Sequence, residues 1–373
     1  MTDMSEQQPR AVRQAEYEAL QFEHGGYWRH GFVDHAYLYN LHFPPESFFQ
    51  HLSSEIHEIV LNYPVGQGVV AGLVGRLIGQ PAERVVVGNG AAELIKIISA
   101  HLAHKLIVPV PSFNEYTNAA PAGHVVEFAL DGPSFQLDVD EFARQAIACG
   151  ADFAVVVSPN NPTSLLVPRD DLLRLLGLLE GSGCNLIVDE SFIDFAEGGA
   201  GQSLERDVSD HPHLAIIKSM SKAYGICGLR IGYLLTANEE LARDVRGQLH
   251  IWNLNGFAEA FLRMAPDYRQ DFVESCEAVR ADRAVLLEAL GTVSGLTVYP
   301  ADANFVMCRL PAWSETGPEV ERRLFVEHHI YIKHCAGKAM PESDRYVRLA
   351  SRTAEENLRL VAALRLVVGT QAA

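Results

Sequence analysis

"HLAIIKSMSKAYGICGLRIGYLLT" (His213–Thr236) decides how this chain is read. Its ends are short apolar runs, "HLAIIKS" and "LRIGYLLT", that read as strands. Between them Ser219 and Ser221 bracket the approach to Lys222, and Arg230 follows eight residues after the lysine. A lysine there is either a solvated surface cation or an amine held at a strand's end for covalent chemistry. The second kind reacts when its amine is desolvated or its pKa is lowered by neighbours.

The sequence on both sides favours a strand end. "RVVVG", "KLIVPV", "HVVEFAL", "DFAVVVSP" and "CNLIVDE" are further β-branched runs, making seven expected strands in all. Helical patterns lie between most of them, such as "GAAELIKIISAHL", "LDVDEFARQAIA" and "RDDLLRLLGLLEGSG". Apolar runs flanked by helices predict a mostly parallel sheet covered on both faces, an α/β architecture. Ligands of such a sheet sit at the carboxyl ends of its strands.

Near residue 255 the pattern changes to long helices, from "GFAEAFLRMAP" to "AVLLEALG". "GLTVYPADANFVMCRL" then reads as a hairpin, "RYVRLAS" as a strand and "TAEENLRLVAALRLVV" as a closing helix. These predict a smaller α+β domain over 256–373, a large domain over 46–255, and an arm or active-site cover over 1–45. Repeats, low-complexity tracts and long linkers are not seen.

The composition narrows the function. No apolar stretch approaches the roughly 20 residues of a spanning helix, and "MTDMSEQQPRAVRQAEYEAL" has no apolar signal-peptide core. The expectation is a cytoplasmic protein. Six cysteines without a C-x-x-C pair indicate neither a disulfide framework nor a zinc site. The histidines of "EHHIYIKHC" (His328, His329, His334) lack the spacing of a metal site, so no metal is expected. A formal net charge of −17 argues against nucleic-acid binding. It leaves room for a pocket of arginines that holds a small anion.

The expected strand ends carry polar punctuation. "NGAAE" (Asn89–Glu93) opens a helix whose first backbone amides, at Ala91 and Ala92, suit a phosphate. "SPNNPTS" places Asn161 in a stiff turn, and "DESFIDF" places Asp189 at the end of an apolar strand. A carboxylate there is costly unless paired with a cation. Hydroxyls at Ser219 and Ser221 with the guanidinium of Arg230 can form a phosphate cup. An imine-forming lysine, an acid for a pyridine nitrogen, an anion cup and an aromatic face (Phe113 in "PSFNEY") together fit pyridoxal 5'-phosphate.

In their order, "GNGAAE", "PSFNEY", "SPNNPTS", "VDESF", "SMSKAYGICGLRIGY" and "VRLASR" resemble fold-type I pyridoxal-phosphate enzymes of the class I/II aminotransferase superfamily. The resemblance covers essentially the whole chain. It implies Lys222 as the Schiff-base lysine, Asp189 as partner of the pyridine nitrogen and Asn161 as contact of the phenolic oxygen. It also implies that Ser219, Ser221 and Arg230 hold the phosphate and that Arg348 grips a substrate α-carboxylate. Tyr63, in "NYPVGQG", matches the tyrosine that family dimers lend to the neighbour's phosphate, which implies a homodimer with shared sites.

Within the superfamily the spacing resembles histidinol-phosphate aminotransferase and threonine-phosphate decarboxylase. Phe192 three residues after Asp189, "HGGYWR" (His24–Arg29), "WNLNGFA" and Arg352 resemble the decarboxylase. That resemblance implies a distal-phosphate anchor built from His24, Gly25, Arg29 and Arg352, with Asn40 as a further substrate contact. Ser164 departs from the glycine usual after "NPT". The expected function is decarboxylation of an O-phospho or phosphono amino acid. The alternatives are an aminotransferase of the histidinol-phosphate type and a non-catalytic regulator that retains the fold.

Overall fold

Seven apolar runs join into one sheet. They are β1 (Val85–Asn89), β2 (Leu106–Val110), β3 (Val125–Ala129), β4 (Phe153–Val157), β5 (Asn185–Asp189), β6 (Leu214–Ser219) and β7 (Ile231–Thr236). The computed structural model describes residues 9–23, 25–130, 132 and 134–369. Across the sheet the order is β1-β7-β6-β5-β4-β2-β3. β3, β2, β4, β5 and β6 run parallel, and β7 lies antiparallel to both β6 and β1. Every residue of β2, β4, β6 and β7 is buried, which explains runs that are apolar on both faces without alternation.

The antiparallel strand positions the functional edge. Because β7 runs against its neighbours, its first residues lie at the same edge as the carboxyl ends of β1, β5 and β6. Arg230, just before β7, is thereby returned to Asn89, Asp189 and Ser219. Local signals bound the covering helices. Asp138 caps the helix Val139–Cys149 by accepting from the amides of Asp140 and Glu141, and left-handed Gly150 ends it.

This sheet belongs to the larger of two compact units, residues 39–161 and 165–278. Among the described residues, the smaller unit comprises those of 9–38, 162–164 and 279–369. Its sheet contains β8 (Thr297–Val298), β9 (Phe305–Arg309), β10 (Lys333–His334) and β11 (Tyr346–Ala350) in the antiparallel order β10-β11-β9-β8. The N-terminal segment is stitched into this unit. Val33–Asp34 pairs in parallel with Ile330–Tyr331, and Tyr17, Leu20 and Tyr27 pack on Phe325 and Tyr331. Buried aromatics explain the placement: they gain more from a core than an open arm would allow. Among the described residues, no helix is long and apolar enough to cross a membrane.

Ser164 shows how one unusual residue is tolerated. Its φ is +64°, the left-handed region that favours glycine. Its Oγ accepts the amide of Ala303 at 3.0 Å, and its carbonyl accepts that of Asp302 at 2.8 Å. Glycine would relieve about 1 kcal/mol of conformational strain and orphan a buried amide at a cost of about 1–3 kcal/mol. The second effect wins. Ser164→Gly should lower stability in urea denaturation by about 1 kcal/mol, and a stabilised variant would show that strain dominates at this turn.

Candidate active site

The edge where β1, β5, β6 and β7 meet is shaped for an anion. Gly90 has φ +72°, and a Cβ there would stand 2.5 Å from Nη2 of Arg230, so glycine alone lets the guanidinium lie against this turn. The amide of Gly90 donates to the Arg230 carbonyl at 2.9 Å, which ties the two turns together. A Cβ on Gly232 would lie 2.3 Å from the nitrogen of Ala91. That contact sets the start of the helix Ala91–Ile97, whose first-turn amides, including Ala92, lack preceding carbonyl partners. Opposite in sequence, Ser219 and Ser221 are buried. The Ser221 hydroxyl has no hydrogen-bond partner among the described residues, a costly state for a buried polar atom.

Asp189 ends β5 at 2% exposure. Ser191 donates to its Oδ1 from the backbone at 3.0 Å and from the hydroxyl at 2.6 Å. Tyr116, wholly buried, donates to Oδ2 at 3.0 Å. Ser191 Oγ also accepts the amide of Ser219 at 3.0 Å, coupling the carboxylate to the turn that carries Lys222. Burial raises the Asp189 pKa, and the bonds from Ser191 and Tyr116 and the charge of Lys222 oppose that rise. Tyr116 and Ser191 were not picked out from the sequence. The aspartate–x–serine turn in "DES" was a legible signal for Ser191; only the fold brings Tyr116 to β5.

Asn161 is buried after β4, and its neighbour Asn160 donates to the Pro111 carbonyl at 2.9 Å. Phe113, half-buried beyond β2, packs against the main core. Two lysines stand close in sequence, and the structure separates their roles. Lys218, within β6, pairs with Asp194 at 3.1 Å and lies 3.9 Å from Glu205. Burial works against its charge, but Asp194, Glu205 and Glu190 outweigh it and hold the amine protonated well above the usual range. Lys222 lies one turn further on, in Met220–Ala223, and is half-buried.

Asn40 is buried beside the lysine turn. Its side-chain amide donates to the Ala223 carbonyl at 2.9 Å and to Ser275 at 2.8 Å, while its backbone amide donates to the Lys222 carbonyl at 2.9 Å. One side-chain hydrogen and the backbone amide thus hold the lysine turn, and the other side-chain hydrogen ties it to Ser275. Tyr63 is 80% exposed and stacks on Trp252 at 4.4 Å.

The smaller unit gathers its expected residues around the segment Asp34–Tyr37. Arg348 donates to the Ala36 carbonyl at 2.6 Å and lies 5.6 Å from the Phe305 ring centre. Arg348 is half-buried, and that burial lowers its guanidinium pKa to about 10. Arg352 donates to the Asp34 carbonyl at 3.1 Å and forms a two-pronged pair with Glu356 at 3.0 and 3.1 Å. An incoming anion would therefore have to share Arg352 with Glu356, which departs from the expected open anchor. Gly25 and Gly26 have positive φ, and Arg29 ends the turn Tyr27–Arg29. His24 lies outside the described residues.

A family model for aminotransferase class I and II matches residues 69–364. The chain belongs to that family. It is 44% identical over 353 residues to a CMP-5'-(3-aminopropyl)phosphonate synthase of Streptomyces rubellomurinus, covering 94% of this chain and 55% of the relative. The chain thus spans about half the length of that relative. It is 32% identical over 292 residues to the threonine-phosphate decarboxylase of Salmonella typhimurium, covering 77% of this chain and 78% of that one. A solved decarboxylase structure from Sulfurospirillum multivorans superposes with a TM-score of 0.83 at 28% identity, covering 90% of this chain and 88% of that chain.

The Asp189 environment has a measurable consequence in the cofactor-free protein. With its pKa raised, the native carboxyl binds its proton more tightly than the unfolded chain does. Native stability therefore falls as pH rises above the unfolded value, about 3.9. Asparagine mimics the neutral form. Asp189→Asn should be more stable than the parent at neutral pH in thermal denaturation, with the difference closing near pH 4. Equal stability at all pH values would mean that the carboxylate is fully compensated by Ser191 and Tyr116.

Proposed function

We propose that this chain is a pyridoxal-phosphate-dependent decarboxylase of an α-amino acid whose side chain ends in a phospho or phosphono group. The observation that carries the cofactor assignment is the buried, partnerless hydroxyl of Ser221, on the same sheet edge as the Arg230–Gly90 contact and the amides of Ala91 and Ala92. A phosphate supplies an acceptor oxygen for the Ser221 hydroxyl, which has no partner among the described residues, and for amides at the helix start. Lys222 would hold the cofactor's aldehyde carbon, Asp189 would pair with the pyridine nitrogen, and Asn161 and Phe113 would take the phenolic oxygen and the ring face. Bound pyridoxal phosphate supplies an electron sink for the pair released when a bond at the substrate α-carbon breaks. Ser191 and Tyr116 keep the Asp189 carboxylate oriented. The Lys222 amine moves the proton that replaces the departing carboxyl group. Arg348 is assigned the substrate's α-carboxylate, matched by its planar fork.

The substrate class follows from the relatives' chemistry. The Streptomyces relative is named for an aminopropyl phosphonate. Restoring a carboxyl group to its amine-bearing carbon gives 2-amino-4-phosphonobutanoate, an α-amino acid with a distal anion. The Salmonella relative is named for decarboxylation of a threonine phosphate. The test is incubation of the cofactor-loaded protein with 2-amino-4-phosphonobutanoate, phosphothreonine or phosphoserine. Carbon dioxide and a primary amine should form without any keto acid. A requirement for 2-oxoglutarate, with no carbon dioxide, would replace this reading by an aminotransferase.

A homodimer is part of the same reading. On the larger unit, Phe49, Ile56, Val60, Leu61, Tyr63 and Ile251 are exposed, and the helix Glu46–Leu61 buries only Phe48. An exposed apolar surface of this kind fits a second copy, with Tyr63 reaching the neighbour's phosphate. Sedimentation should give a dimer, and Leu61→Asp should shift it towards monomer while weakening cofactor retention. A monomeric parent protein with full cofactor retention would remove the shared site.

A further inference from the structure

The smaller unit presents a second feature, on the turn Tyr27–Arg29. Trp28 is 80% exposed, and the guanidinium carbon of Arg29 lies 4.5 Å from the centre of its ring. A Cβ on Gly26 would stand 2.7 Å from Nη1 of Arg29, so the glycine leaves room for the guanidinium to lie where it does. Below the turn the aromatic packing is tight. Tyr27 is buried and stacks on Tyr37 at 4.6 Å and 27°, while Phe32 and Tyr331 meet its ring at 5.9 and 5.4 Å. Tyr37 directly follows Ala36, whose carbonyl accepts from Arg348. A short chain of stacked rings and one hydrogen bond therefore links the Trp28–Arg29 pair to the proposed carboxylate arginine within one unit.

An indole this open gains nothing from the fold, since tryptophan contributes by burying its large surface. An aromatic plate beside a guanidinium is the pattern that binds nucleotides: the ring stacks on a base, and the cation meets a phosphoryl oxygen. The product named for the Streptomyces relative carries such a group, a cytidine monophosphate joined to the phosphonate. We infer that Trp28 and Arg29 form a platform for a nucleoside monophosphoryl group joined by an anhydride bond to the substrate's distal phosphonate, Trp28 stacking on the base and Arg29 holding the phosphoryl linkage. This inference rests on the proposed decarboxylase reading for the identity of the substrate. The platform itself is a binding site that can be tested without turnover.

The probe is cytidine 5'-monophosphate, titrated into the cofactor-loaded protein so that the cofactor's own phosphate site is filled. Tryptophan emission is the readout. Trp252 and Trp313 also emit, so the Trp28 contribution is taken as the difference from Trp28→Phe. Saturable quenching of Trp28 is expected, with inorganic phosphate at equal concentration failing to reverse it. By calorimetry, Trp28→Ala should weaken binding about tenfold and Trp28→Phe should retain part of the affinity. Arg29→Ala should weaken binding and reduce its salt dependence. Unchanged affinity in Trp28→Ala, or no binding at millimolar nucleotide, would overturn the platform. So would a fall in oligomer size in Trp28→Ala without nucleotide binding, because Trp28 would then face a second copy. Nucleotide binding that persists in a protein releasing no carbon dioxide from any phosphono amino acid or its cytidylyl anhydride would keep the platform and dismiss the decarboxylase.

Discussion

A carboxylate buried at the end of a strand is the constraint around which the larger unit is organised. Asp189 terminates β5 in near-complete burial, and the surrounding bonds serve to make its charge tolerable. Tyr116 and Ser191 are its hydrogen-bond donors, and Ser191 passes the restraint on to Ser219. From Ser219 the chain turns directly into Lys222, whose carbonyl is pinned by Asn40. Asp189 and the lysine turn thus share one hydrogen-bonded support. Such support keeps reactive groups in place without a flexible search.

β6 and the short helix that follows it show how two lysines four residues apart acquire different surroundings. Lys218 is enclosed with Asp194, Glu205 and Glu190. Glu190 is also buried, held by Ser203 at 2.5 Å and the Leu204 amide at 2.8 Å, and burial with the nearby Glu205 raises its pKa to about 8. A permanently protonated Lys218 offsets this acidic cluster and cannot act as a nucleophile. Lys222, beyond the strand's end in Met220–Ala223, is instead half-buried.

How much of this was legible follows from the range of each interaction. The strands were readable because runs such as "DFAVVV" and "HLAIIKS" are buried on both faces and need no partner to identify them. The glycine-rich and serine-rich turns were readable because backbone conformation and helix starts leave local signatures. The seat of the N-terminal segment was not. "FVDHAYLYN" carries no mark that Val33–Asp34 pairs with a strand about three hundred residues later. Nor did the sequence separate Arg348 from Arg352. Both look like anion ligands, and only the fold shows Glu356 engaging one of them from the next helical turn. Tyr116 was missed for the same reason: its partner is 73 residues away.

The proposed decarboxylation would make a particular demand on Arg348. The reaction converts an anionic carboxylate into neutral carbon dioxide, so a strong ion pair in the ground state is lost at the transition state. Interactions that weaken along the reaction raise the barrier. Arg348 is partly desolvated, which strengthens any such pair. A decarboxylase with this arginine therefore needs binding energy that does not change as carbon dioxide leaves. A distal anion, or a group attached to it, supplies that energy far from the breaking bond and can hold the carboxylate out of the plane of the cofactor ring. On this argument the distal substituent helps to choose the bond that breaks. An enzyme of this kind would be slow on amino acids lacking that group, even where they fit the α-carboxylate site.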